Sequence, residues 1–128
     1  MNTKLVLTAS AITLGIAGVI CTFVPEEILR YAGMDATKQY QLFVQIFGAL
    51  YFGFAMLNWM TRDTVIGGIY NRPIAIANFT HYAIAALALV KAVFANPGIT
   101  PFFWIIAGSY TVFAVCFGII FTSHPSKT

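Results

Sequence analysis

Two apolar stretches decide the fold: LFVQIFGALYFGFAMLNWM over Leu42–Met60, and IAIANFTHYAIAALALVKAVF over Ile74–Phe94. A helix of about 20 apolar residues crosses about 30 Å of hydrocarbon, so each stretch predicts a transmembrane helix. The connection between them, residues 61–73, is short, which predicts that the two helices are antiparallel neighbours.

Both stretches carry small and polar residues on one helical face. Steps of three and four residues bring side chains to the same side of a helix. Small residues let membrane helices approach closely, and polar side chains hydrogen-bond across them, so this seam predicts helix–helix contact. The seam residues are Gly48, Tyr51, Ala55 and Asn58 on the first helix and Asn78, His81, Ala85, Ala88 and Ala92 on the second.

Counting inward from the shared connection predicts two polar layers in this hairpin. Asn58 and Asn78 form an amide pair near one surface, and Tyr51 and His81 form a pair nearer the middle. As packing contacts, such groups contribute about 0.6 kcal/mol each on average. The alternative interpretation places His81 in a ligand site or proton path, because ionisable groups inside membranes mark functional sites.

The composition indicates a protein whose surroundings are mostly lipid. The 128 residues are 59% apolar and 9% charged, with a mean hydropathy of +0.82. A soluble domain carries about 25% charged residues. The net charge of +3 comes from seven basic and four acidic residues without a run or patch, so nucleic-acid binding is not expected.

The whole chain, residues 1–128, predicts a single all-α domain. Its architecture is a four-transmembrane-helix antiparallel bundle, with a short interfacial helix that begins at Pro25 between helices one and two. We expect Gly33 to end that short helix, Asp35 to be the N-cap of the next one and Gly67-Gly68 to form a turn. The predicted spans are about 5–24, 42–60, 74–94 and 102–122.

Several side chains capable of hydrogen bonding fall at one depth near the middle of the bundle. Aromatic side chains with a few convergent polar groups can line a pocket for a small apolar ligand, or they can pack dry against one another. We expect His81 to face the interior and to hydrogen-bond to a tyrosine hydroxyl or a backbone carbonyl. The candidate ligand-binding residues are His81, Tyr51, Tyr82, Tyr110 and Thr13 at this depth, with Asn78 and Asn58 in the amide layer.

The cysteines and histidines do not predict a metal or redox centre. Cys21 and Cys116 fall at different depths, so we expect two free, buried thiols. His81 and His124 also differ in depth, which argues against a haem or metal site. No acid lies within a span and no catalytic set is visible, so neither cofactor nor catalytic residue is predicted.

Loose motifs along the chain resemble a known family. They are Val24-Pro25, Ile28-Leu29, Tyr31-Ala32-Gly33, Gly48-Ala49, Gly53 and Arg62. Together they resemble the small bacterial DoxX-like four-helix membrane proteins. The resemblance implies a four-span bundle in a bacterial inner membrane. Some DoxX-type proteins are linked to quinone or thiol redox modules, but this chain has no paired cysteines and that activity is not carried over.

Three hypotheses for the function follow. The first is a non-enzymatic accessory or interaction protein that binds a lipid or other lipophilic small molecule inside the bundle. The alternatives are a membrane enzyme or redox partner with His81 as acid/base, and a small oligomeric transporter or channel. Expected partners are membrane lipids, a lipophilic molecule, a larger membrane complex or further copies of the chain.

The basic residues favour an orientation with both termini on the cytoplasmic side of the membrane. Four of them are expected on that side and three on the other: Lys4, Arg62, Arg72 and Lys127 against Arg30, Lys38 and Lys91.

Overall fold

The chain folds into helices joined by short connections. The computed structural model describes residues 1–64, 66 and 71–123, and these residues contain no strand. Four of the helices are long and apolar enough to cross a membrane, which confirms the predicted four-span, all-α bundle with a short helix between the first two spans. The protein is therefore a multi-pass membrane protein. Its helices are α1 (Thr3–Phe23), α2 (Pro25–Tyr31), α3 (Lys38–Thr61), α4 (Arg72–Ala95) and α5 (Pro101–Thr122).

The short helix α2 ends as predicted, at a glycine. Gly33 has a φ of 73°, a left-handed conformation that costs glycine little. Its N–H donates to the carbonyl of Arg30 at 3.0 Å, and the N–H of Met34 donates to the carbonyl of Leu29 at 2.9 Å. This hydrogen-bond pattern is a Schellman motif, which satisfies carbonyls that the end of the helix would otherwise leave unpaired.

The start of α3 differs from the prediction. Thr37, not Asp35, is the N-cap, and its Oγ1 accepts a hydrogen bond from the N–H of Tyr40 at 3.3 Å. Thr37 has the extended backbone that an N-cap requires, with φ −69° and ψ 156°. The helix consequently begins at Lys38 rather than near Ala36.

The helices pack as two pairs, α1 with α3 and α4 with α5. The consecutive helices α3 and α4 meet in only a few places. The predicted contact between them holds for the polar pairs Asn58–Asn78 and Tyr51–His81 but is wrong for the small residues Gly48 and Ala55. The small residues of α3 face α1 instead. A Cβ atom placed on Gly48 would lie 2.9 Å from the carbonyl oxygen of Gly18, and one placed on Gly15 would lie 3.6 Å from the Cβ of Ala55.

The predicted stripe on α4 also fails toward the end of that helix. Ala88 is exposed, and Ala86 and Val93 are the buried residues there. The buried face of α4 instead follows Asn78, Tyr82, Ala86 and Val93, a stripe rotated from the predicted one, because α4 packs mainly against α5.

Aromatic side chains pack α4 against α5 within the second pair. Tyr82 of α4 and Phe117 of α5 are fully buried, and their rings stack with centroids 5.5 Å apart. Phe113 stacks on the same tyrosine at 4.9 Å. The first pair is therefore held by close backbone approach at glycines and the second by stacked rings, and Tyr82 also reaches Ser10 of α1.

The remaining predictions about single residues have mixed outcomes. Cys21 and Cys116 are free, as expected, but half-buried rather than buried. The predicted turn at Gly67-Gly68, the histidine His124 and the basic residue Lys127 lie outside the described residues.

Candidate functional site

A connected network of side-chain hydrogen bonds links three of the four long helices, α1, α3 and α4. Asn58 Nδ2 donates to Asn78 Oδ1 at 2.7 Å, and Asn78 Nδ2 donates to Asn58 Oδ1 at 2.7 Å. Asn58 Nδ2 also donates to Ser10 Oγ at 2.9 Å, and that hydroxyl is 2.6 Å from the hydroxyl of Tyr82. All four side chains are completely buried. The predicted amide pair is confirmed.

The two amides have no donor left for a ligand. Each side-chain amide carries two N–H donors. Asn58 uses its donors on Asn78 and Ser10, and Asn78 uses its own on Asn58 and on the carbonyl of Ile74 at 3.0 Å. A buried network whose N–H donors are all paired favours one arrangement of the helices, so the amide layer stabilises the contact between the two helix pairs.

Ser10 was not among the sequence candidates, although it bridges Asn58 and Tyr82. The sequence contained one signal for it: Ser10 lies about two turns into α1, a depth comparable to that of Asn78 in α4, which starts at the same end of the bundle. Serine can bond to its own helix backbone, so its presence in a span does not by itself demand a partner.

A second group, around His81, is aromatic. The imidazole stacks on the ring of Phe54 with centroids 4.9 Å apart and an interplanar angle of 23°. It meets Tyr82 edge-on at 5.0 Å, Tyr110 at 5.5 Å and Tyr51 edge-on at 6.0 Å. The expected proximity of Tyr51 and His81 is confirmed. We call these five residues the His81 cluster.

The hydrogen bond expected for His81 is absent at one ring nitrogen. Its Nε2 atom is buried and has no hydrogen-bond partner. The hydroxyl of Tyr82, whose ring meets the imidazole edge-on, instead pairs with Ser10. An unpaired buried polar atom costs about 1–3 kcal/mol, and such an atom in a folded protein calls for an explanation such as a bound molecule.

The structure places some of the other candidate residues in the His81 cluster and others outside it. Tyr51, Tyr82 and Tyr110 lie in the His81 cluster, whereas Thr13 is exposed on α1. Phe54 was missed because a phenylalanine in a span carries no polar signal. Its spacing was informative, since it lies one helical turn from both Tyr51 and Asn58.

The charged groups lie at the ends of the bundle. Lys4 Nζ is 2.5 Å from Asp63 Oδ1, and the guanidinium of Arg62 lies 3.5 Å above the ring centre of Trp59. The hydrogen bond from Lys4 lowers the pKa of the exposed Asp63 carboxyl below its usual value, with Arg62 adding to the effect. The salt bridge between Lys4 and Asp63 joins the start of α1 to the end of α3.

The cluster offers hydrogen bonding and aromatic surface rather than charge. All four acidic residues lie outside the long helices. Among the described residues, no group of three histidine, cysteine or acidic side chains could hold a metal ion.

No protein-family model, curated protein or solved structure matches the chain.

Proposed function

We propose that this multi-pass membrane protein is a non-enzymatic accessory protein that binds a lipophilic small molecule inside its bundle, against His81. The observation that carries the proposal is the buried, unpartnered Nε2 of His81 among the rings of Phe54, Tyr82, Tyr110 and Tyr51. A small ligand's polar atom would satisfy this nitrogen, and the rings would contact its apolar part.

The contrast with the amide layer supports this choice of site. Asn58 and Asn78 were equally good candidates by residue type, yet their donors are saturated by protein groups. His81, Phe54, Tyr51 and Tyr110 are only half-buried, so a lipid-soluble molecule can approach them from the bilayer. We therefore assign ligand binding to the His81 cluster and helix–helix contact to the amide layer.

We also propose a bacterial inner-membrane location with both termini cytoplasmic. The location rests on the resemblance to DoxX-like proteins. The orientation rests on the basic residues Lys4, Arg62 and Arg72, which share one end of the bundle, because positive residues are retained on the cytoplasmic side. The salt bridge between Lys4 and Asp63 supports the placement of the first two of these residues at the same end.

The proposal is tested by extracting the purified protein and analysing the extract by mass spectrometry. We expect wild-type protein to carry a stoichiometric non-phospholipid molecule. His81→Trp should lose it, because the larger ring would take the position of the ligand against Phe54 and because the imidazole Nε2 is removed. Thr80→Trp is the matched control: its side chain is exposed on the same helix, so the molecule should be retained.

Equal extracts from wild type and His81→Trp would overturn the proposed site, and so would the absence of any such molecule from the wild type. If the tryptophan variant fails to fold, His81→Phe provides the same comparison, because it keeps a flat ring of similar size but lacks the nitrogen.

A further inference from the structure

The His81 cluster lies between the two helix pairs, where α3 faces α4; we call this region the seam. Within the pair α1 and α3 the backbones are in contact, since a Cβ placed on Gly18 would lie 2.9 Å from the backbone nitrogen of Phe52. Between the pairs, α3 and α4 meet in only a few places, and side chains fill the space. The seam is therefore where a molecule can be accommodated by moving side chains without separating a close-packed pair.

One end of this seam is closed and polar. The hydrogen bonds between Asn58 and Asn78 join α3 to α4 about one turn from Phe54 and His81. Beyond them toward the middle of the bundle, the seam side chains Tyr51, Phe54 and His81 are half-buried. A molecule lying there would have the amide layer beneath it and would be open to the bilayer at its side.

The charges of the chain restrict what can occupy the seam. In the four long helices, the charged residues lie near the helix ends, so neither a carboxylate nor an ammonium group meets a counter-charge beside His81. Moving an isolated charge to that depth is strongly unfavourable. The charged residues of these helices are Lys4, Lys38, Arg72 and Lys91.

The unpartnered nitrogen restricts the polar group as well. A neutral imidazole nitrogen donates a hydrogen bond in one tautomer and accepts one in the other. A hydroxyl group complements both tautomers, whereas a carbonyl complements only the donating one.

We infer that the occupant is a neutral lipophile bearing a hydroxyl group, a long-chain or ring alcohol, which hydrogen-bonds to Nε2 of His81 in the seam between α3 and α4. This inference rests on the proposed function and adds the chemical class of the ligand. It makes Nε2 the atom that selects an alcohol over a hydrocarbon of the same shape.

The test uses the full chain in proteoliposomes with four photoreactive long-chain probes. The probes share one chain and differ only at the end, which is a hydroxyl, a methyl, a carboxylate or a trimethylammonium group. We expect the alcohol to label seam residues of α3 and α4 about three- to tenfold more than the methyl-ended probe, as one added hydrogen bond would give. An excess of unlabelled alcohol should suppress this labelling.

Variants at one position identify the atom responsible. His81→Phe should reduce alcohol labelling to the level of the methyl-ended probe and leave the latter unchanged, because the ring remains and Nε2 is lost. His81→Gln should retain part of the preference, since its amide can still hydrogen-bond. Thr80→Val, an exposed change one residue away, should leave all four probes as in the wild type.

The outcomes separate this inference from the proposed function. Seam labelling of the wild type by all four probes alike, suppressed by excess unlabelled competitor, would overturn the alcohol and keep the lipophile site. Preference for the carboxylate or the trimethylammonium probe would overturn the inferred neutral class. Labelling confined to lipid-facing residues, without competition, would overturn both the inference and the proposed function.

Discussion

At the scale of single residues, the amide layer shows what a sequence can and cannot predict. Asn58 and Asn78 were paired correctly because both are polar, both lie in spans and both fall near the same end of antiparallel helices. Ser10 was missed because a hydroxyl has a second choice of partner in its own helix backbone. The unpartnered Nε2 of His81 could not be foreseen, since the hydroxyl of the adjacent Tyr82 had a competing partner in Ser10.

The amide pair should behave as one unit in stability measurements. Asn58→Leu leaves the Asn78 amide buried without its partner, so we expect a loss of about 1–3 kcal/mol in the free energy of unfolding. The double variant Asn58→Leu/Asn78→Leu removes both amides and should lose less than the sum of the single changes. Unfolding by SDS titration in mixed micelles measures all three. Additive losses would show that the two amides are not coupled.

At the scale of helices, ends were easier to predict than partners. Gly33 ended α2 as expected, because a left-handed residue after a helix is a local requirement that glycine meets. Thr37 rather than Asp35 is the N-cap. Aspartate and threonine are both suitable N-cap residues, so the position depends on which of them adopts the extended backbone. The partner of α3 could not be predicted, because every span carries a stripe of small residues and no local feature says which two stripes meet.

Two glycines of α3 provide a matched test of the pairing with α1. A Cβ on Gly48 would lie 2.8 Å from Thr22 Oγ1 and 2.9 Å from the carbonyl oxygen of Gly18, whereas a Cβ on Gly53 would have no such neighbour within 4 Å. Gly48→Ala should therefore reduce the free energy of unfolding by about 1–3 kcal/mol through overpacking. Gly53→Ala should be neutral or raise it by about 0.5–1 kcal/mol, because alanine is the better helix former. Equal effects in the same SDS titration would show that α1 does not approach α3 at Gly48.

At the scale of the whole molecule, composition predicted the class of protein and the number of spans. With 9% charged residues, the chain has too few charges to cover a water-facing surface, and four separate apolar stretches have the length of a span. The division into two pairs with an aromatic seam was not predictable, because it depends on how glycines on α1 and α3 match in register. The sequence predicted that Tyr51 and His81 lie close together across α3 and α4, but it did not predict that this contact lies between two separate helix pairs.

The proposed orientation gives the last prediction. The basic residues Lys4, Arg62 and Arg72 lie at one end of the bundle and should be cytoplasmic, so the opposite end, with the loops at Asp35 and Asn96, should face outward. In a variant whose two native cysteines are replaced by alanine, a membrane-impermeant maleimide added to intact cells should label Asp35→Cys and Asn96→Cys. It should leave Thr64→Cys, in the exposed connection after α3, unlabelled until the membrane is opened. All three positions lie outside the long helices, so a difference in labelling reports the side of the membrane rather than burial. The reverse pattern would place both ends of the chain outside and would remove the charge argument, since the basic end of the bundle would then be the translocated one.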